Sequence, residues 1–148
     1  MLVEERISIG AVPDRVWRLI ANPERMSAFS PELHHIQWIG DPTPRVGGTF
    51  RAFNRVGPIR WRTRNVIEVA DPRRLFAWRA MDGPGFRFVT RWTYCLRPAN
   101  GQCEVVERCE TASWLAAVIT KGLLWGRARM LRRGMRTTLE AIKVAAEA

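Results

Sequence analysis

The stretch "RVGPIRWRTRN", Arg55–Asn65, carries four arginines and a tryptophan around a Gly-Pro turn. Basic side chains interleaved with an aromatic read as a nucleic-acid surface if all of them point the same way. They read as a half-buried hairpin if they alternate. Pairing across Gly57-Pro58 decides between the two. Val56 then faces Ile59, Asn54 faces Trp61, Ala52 faces Thr63 and Phe50 faces Asn65, all on one side. Arg51, Arg55, Arg60, Arg62 and Arg64 share the other side, with Phe53 as the apolar exception. Trp61 and the arginines therefore belong to opposite faces of one hairpin.

The same alternation runs outward from that hairpin through most of the chain. Turn chemistry at 41–48, 57–58, 71–72, 82–85 and 98–101 separates six predicted strands, at roughly 33–40, 49–56, 59–69, 74–81, 86–97 and 102–111. Connections this short imply antiparallel neighbours. Phe76, Trp78 and Ala80 face inward with Phe88, Thr90, Trp92, Tyr94 and Leu96. Arg87, Arg91 and Arg97 face out. Cys103, Val105, Glu107 and Cys109 also point in, leaving Glu104, Arg108 and Glu110 outside as candidate cross-strand partners for the arginines.

Ahead of these strands, Leu2 to Ile9 suits another strand, and Pro13 and Asn22-Pro23 open two short helices. From Ser113 the apolar period becomes helical, and Leu131, Met135, Thr138, Leu139, Ile142 and Ala146 form one stripe. The expected fold is α+β. A seven-stranded antiparallel curved sheet wraps around a long C-terminal helix, with two short helices between strands 1 and 2, as a single domain over residues 1–148.

A chain of 148 residues is long enough to bury a core without disulfides or metal. Its three cysteines, Cys95, Cys103 and Cys109, lack metal-type spacing and suit a reducing compartment. "MLVEERISIG" has no apolar signal-peptide core, and the run Trp114 to Gly126 is broken by Lys121 and too short to cross a bilayer. A soluble cytoplasmic protein is expected. The net charge of +10 comes almost wholly from arginine, since Lys121 and Lys143 are the only lysines. That charge admits anionic partners, but solvated strand and helix faces explain it equally well.

The aromatic inward face has two readings. Either Phe50, Trp61, Phe76, Trp78, Phe88, Trp92 and Tyr94 fill the core, or they wall a cavity in which Asn54, Thr63, Thr90, Tyr94 and Glu107 orient a ligand. Glu107 is the costliest inward residue, because a carboxylate in an apolar interior must be partnered, protonated or solvated. It reads equally as a structural group bonded to Asn54, Tyr94 or water, and as a general base with a raised pKa.

The order of elements, together with "VPDRVWRLIANPERMSAFSPEL", "VGGTFRAFNRVGPIRWRTRNVIEVADPRRLFAW", "RWTYCLRP", "GQCEVVE" and "LRRGMRTTLEAIKVAAE", resembles the START-like (SRPBCC) superfamily in its polyketide cyclase/dehydrase branch. The resemblance covers essentially the whole chain. It implies a helix-grip fold with a hydrophobic-ligand cavity between sheet and long helix, entered near that helix's N-terminal end. The positions matching its pocket-facing pattern are Phe50, Asn54, Trp61, Thr63, Trp78, Trp92, Tyr94, Val105 and Glu107. Phe88, Thr90 and Gly134 complete the candidate ligand-binding set. Met26 and Phe29 stand where relatives often carry tryptophan, Ala52 replaces a frequent glycine and Cys103 a frequent threonine.

The leading expectation is a protein that binds an aromatic, polyketide-like or lipid-like molecule in that cavity, with no cofactor and no metal. The alternative is a cyclase/dehydratase-type enzyme in which Glu107 is the acid or base, with Tyr94 or Asn54 placing the substrate oxygen. A surface that binds nucleic acid or an acidic membrane through the outward arginines, or through Arg127, Arg129, Arg132 and Arg133, ranks well behind. Trp114 to Trp125 is a candidate lid, homodimer contact or membrane-facing patch.

Overall fold

The computed structural model describes residues 1–82, 88–111 and 126–148. The elements run β1 (Leu2–Ile9), α1 (Pro13–Ile20), α2 (Pro23–Phe29), β2 (Leu33–Ile39), β3 (Thr49–Val56), β4 (Ile59–Asp71), β5 (Leu75–Asp82), β6 (Phe88–Ala99), β7 (Gln102–Thr111) and α3 (Arg127–Glu147). The strands form one seven-stranded antiparallel sheet, ordered β1-β7-β6-β5-β4-β3-β2. Every connection from β2 to β7 therefore joins neighbours, and α1 with α2 carries the chain between the two edge strands. The sheet is curved and open, and α3 packs on β1 and β7 and against α1 and α2.

The deciding hairpin pairs as its alternation requires: Val56 with Ile59, Asn54 with Trp61, Ala52 with Thr63 and Phe50 with Asn65. Gly57, at φ 57°, supplies the left-handed first turn position, a geometry that matches the right-handed twist of the strands it joins. Asn100 and Gly101, at φ 52° and 77°, close β6 onto β7 in the same way.

In α1, Pro13 sits in the first turn, where its missing N–H costs nothing, and Val16, Leu19 and Ile20 are buried. The Asn22 side chain caps α2 by accepting from the Glu24 N–H at 3.2 Å. All six stripe residues of α3 are buried. The far end of α3 is tied to β1: Glu147 accepts from the Gly10 N–H at 2.8 Å, and Lys143 donates to the Ser8 carbonyl at 2.7 Å. The helical reading from Ser113, and with it the candidate lid Trp114 to Trp125, lies outside the described residues apart from α3.

The outer face departs from expectation in how its charges pair. Arg91 and Arg79 both reach Glu68, at 2.8 and 3.4 Å, and not Glu104 or Glu110. The cause is a bulge in β4 between Ile67 and Val69, which takes Glu68 out of register with β5. Arg108 pairs with Glu4 on β1, and Glu104 with Arg6 at 3.7 Å. Arg55 stays opposite Arg60, with no acidic partner for either among the described residues. A second bulge, between Leu33 and His35, leaves both His34 and His35 exposed.

Candidate functional site

Adjacent strands β5, β6 and β7 set Trp78 opposite Trp92, Phe76 opposite Tyr94, and Tyr94 opposite Glu107. Because side chains on one face repeat every second residue, these groups share a single wall. The Trp78 ring stacks on Trp92 (centroids 6.3 Å apart, planes 16° apart) and on Tyr94 (5.8 Å, 19°). Facing them from α3 are Leu131, Met135 and Thr138, while Met26 and the turn from Ser30 to Leu33 close one end. Between these walls lies a cavity of about 70 Å³.

The cavity falls at a seam. One core cluster, around Ile9, Ile20, Phe76, Tyr94, Leu139 and Ile142, lies to one side, and a smaller one of Val3, Cys109, Leu131 and Met135 to the other. The space is enough for a few waters or the edge of a ring. Pro31, Glu32 and Gly134 also border a groove of about 560 Å³ between α3 and the β3–β4 hairpin, together with Arg55, Met130 and Arg133.

Glu107 is only 2% exposed. Its Oε1 accepts a hydrogen bond from the Tyr94 hydroxyl at 2.7 Å, and its Oε2 is buried with no partner among the described residues. Cations that would hold it ionised are engaged elsewhere. Arg132 and Arg136 pair with Glu5 at 3.5 and 3.0 Å, and Arg127 grips Glu32 with both amino nitrogens, Nη2 lying 3.0 Å from Oε2. Burial pushes the Glu107 pKa up to about 8, against the downward pull of the Tyr94 bond and with a further push from Glu5. Burial first, and then the Glu107 charge, raise the Tyr94 phenol well above its ordinary value. The same two causes push the Cys109 thiol up to about 12. At neutral pH the carboxyl is thus mostly an acid, able to give a proton and to take one back.

Of the residues expected from the sequence, Trp78, Trp92, Tyr94, Glu107 and Gly134 meet at this cavity. Phe50 lines a smaller void of about 30 Å³ beside it, with Phe76 and Trp78. Thr63 is occupied in structure: its hydroxyl accepts from the Asn65 amide at 3.0 Å. Val105 is fully buried in the larger core cluster. Asn54 and Thr90 are half-buried and do not line the cavity. Trp61 lines a separate surface groove with Ile59 and Met130, and the Arg127 guanidinium lies over its ring at 5.7 Å. The Phe88 side chain is outside the described residues.

The sequence places Leu131, Met135 and Thr138 in the helix stripe without assigning them to the site. Ser30-Pro31 carries a helix-stop signal, but nothing local shows that the turn from Ser30 to Glu32 lines the cavity. Among the described residues there is no group of three or more His, Cys, Asp or Glu side chains placed to hold a metal ion. No helix there is long and apolar enough to cross a membrane.

A family model described as polyketide cyclase / dehydrase and lipid transport matches residues 2–147. The chain belongs to that family. With it comes membership of the SRPBCC superfamily, as the order of elements implied. Comparison with curated protein sequences returns no match. Among solved structures the chain is similar to TTHA0849 from Thermus thermophilus, with TM-score 0.75 at 14% identity over 99% of this chain and 97% of that one. It is similar to the polyketide_cyc-like protein Cgl2372 from Corynebacterium glutamicum, with TM-score 0.59 at 25% identity over 99% and 88%. It also matches half of the di-domain ARO/CYC StfQ from the steffimycin biosynthetic pathway, with TM-score 0.76 at 14% identity over 99% of this chain and 51% of that one.

Proposed function

We propose that this polyketide cyclase/dehydrase family member binds a hydrophobic small molecule carrying a flat ring, inserted between the Trp78–Trp92–Tyr94 wall and α3. The observation that carries this reading is an apolar, aromatic-walled cavity lined by Glu107, a buried carboxyl whose Oε2 has no partner among the described residues. Sites that enclose a whole ligand commonly hold about 300–1,000 Å³. The inner cavity is smaller, so it takes the ring edge while the remainder of the ligand lies in the groove beyond Gly134.

Gly134 lines both spaces, and an added Cβ there would meet Pro31 Cγ at 3.5 Å. A larger side chain there is expected to occupy the space between α3 and Pro31, and circular dichroism of the variant checks that the fold is kept. The test is a thermal-shift and native mass-spectrometry screen of flat aromatic ketones, flavonoids and quinones against the wild type and Gly134→Leu. Wild type is expected to bind and gain stability, and the variant to do neither. Equal responses from the two would overturn the assignment.

A second reading is supported by the acidity of Glu107 itself. A carboxyl that titrates near neutrality beside a phenol is suited to dehydration. Protonated Glu107 would give its proton to a leaving hydroxyl, releasing water, and the carboxylate would then take a proton from the neighbouring carbon. Glu107→Gln separates the two readings, because it preserves shape and binding and removes proton transfer.

A further inference from the structure

Hydrogen-bond accounting at Glu107 and Tyr94 identifies the chemistry of the ligand's buried end. In the neutral state the pair holds two O–H hydrogens, one on the carboxyl and one on the phenol. Their single contact, Tyr94 Oη to Glu107 Oε1 at 2.7 Å, uses one of them. No other acceptor lies within reach among the described residues, since Oε2 is buried without a partner and Tyr94 has only this bond. Whichever oxygen donates within the pair, one O–H is left over. The cavity that Glu107 and Tyr94 line is walled by Trp78, Trp92, Leu131 and Met135, and its polar side chains Ser30 and Glu32 are engaged with the Glu32 and Leu33 N–H groups and with Arg127. The one hydroxyl on the helix side, Thr138, already donates to the Gly134 carbonyl at 2.9 Å.

The neutral state is favoured by the surroundings on every side. From β1, Glu5 faces Glu107 in register and is paired with Arg132 and Arg136 of α3. Glu32, in the turn before β2, is paired with Arg127. Cys109, on the same strand, is buried with its thiol acidity suppressed. Tyr94, from β6, is held neutral. No cation among the described residues contacts Glu107, and a buried ionised carboxylate without one is costly.

We infer that the ligand presents a hydrogen-bond acceptor, a ketone or quinone carbonyl attached to its ring, to the unspent O–H of the Glu107–Tyr94 pair, and not an ammonium group, which has no acceptor to offer. This rests on the binding function proposed above and specifies the chemistry of its site. The raised Glu107 pKa, about 8, agrees with it and sets the pH range over which the donor disappears.

Four ligands of one skeleton test the inference: tetralin, 1-tetralone, 1-tetralol and 1-aminotetralin, titrated by NMR into the whole protein at pH 6 and pH 9.5. At pH 6 the ketone is expected to bind on the order of tenfold tighter than the hydrocarbon, the worth of one net hydrogen bond. That advantage is expected to vanish at pH 9.5. Glu107→Gln, which keeps an N–H donor, should retain the preference at both pH values, and the double variant Tyr94→Phe/Glu107→Leu, which removes both O–H groups, should abolish it. Tighter binding of the alcohol or the amine at pH 6, or a ketone preference that survives Tyr94→Phe/Glu107→Leu, would overturn the inference. Equal binding of all four also overturns it while leaving the cavity reading standing. Failure of all four to bind removes the cavity reading, and the inference with it.

Discussion

Two polar side chains point into the same inner face, and they are treated differently. Asn65, on β4, is 1% exposed, and its amide donates to the Phe50 carbonyl at 3.3 Å, the Thr63 carbonyl at 3.1 Å and the Thr63 hydroxyl at 3.0 Å. Glu107, on β7, is 2% exposed and has one partner and one orphaned oxygen. A buried polar group with its donors placed serves to fix a fold. A buried group left half-satisfied, beside open space, is a cost that the fold does not explain and a ligand does. Asn65 is therefore a structural group, and under the proposed function Glu107 is the group that meets the ligand.

The contrast can be broken most forcefully through pH. The folded Glu107 carboxyl titrates at about 8, above its unfolded value of 4.5, so between those values the folded state holds a proton that the unfolded state has lost. Stability from this group is therefore greatest below the lower value and falls as pH rises to the upper one, by on the order of 4 kcal/mol. Denaturant unfolding at pH 5 and pH 8.5 should show that fall in wild type and a flatter profile in Glu107→Gln. A profile unchanged by the substitution would place Glu107 among ordinary structural carboxyls.

Next in size is Asn65→Ala, expected to cost about 2 kcal/mol in unfolding experiments because it strips donors from buried carbonyls. Ligand affinity should be unaffected. Tyr94→Phe is expected to cost about 1 kcal/mol, and to move the Glu107 titration upward, since the phenol bond is what lowers it. Here affinity should change, which sets it apart from the Asn65 variant. The smallest effect is a gain: Gly134→Ala should stabilise α3 by about 0.5–1 kcal/mol, because the new Cβ meets Pro31 at an ordinary 3.5 Å.

Much of this was legible in the sequence because a two-residue period and short turns leave little freedom. The pairing of Phe50 with Asn65 and of Asn54 with Trp61 followed from Gly57-Pro58 alone, and the inward direction of Tyr94 and Glu107 followed from Asn100-Gly101. Alternation specifies the face of a residue and not its neighbours across the interior. Hence Thr63 and Val105 were grouped with the site although one holds Asn65 and the other fills the core. The turn at Ser30–Glu32 was missed because its place in the cavity lining depends on how α2 and α3 dock, a contact between residues about a hundred positions apart. The Glu68 pairing was missed because a bulge has no signature in an alternation count.

Under the proposed function Glu107 is a neutral donor facing a ligand, and titration of its carboxyl tests that role. Carbon-13 NMR of the labelled Glu107 carboxyl should show a midpoint near 8 in the free protein, moving higher when 1-tetralone is bound, because a ligand that accepts the proton's hydrogen bond stabilises the protonated form. A midpoint in the ordinary carboxylate range, or one that bound ketone leaves unmoved or lowers, would contradict the account.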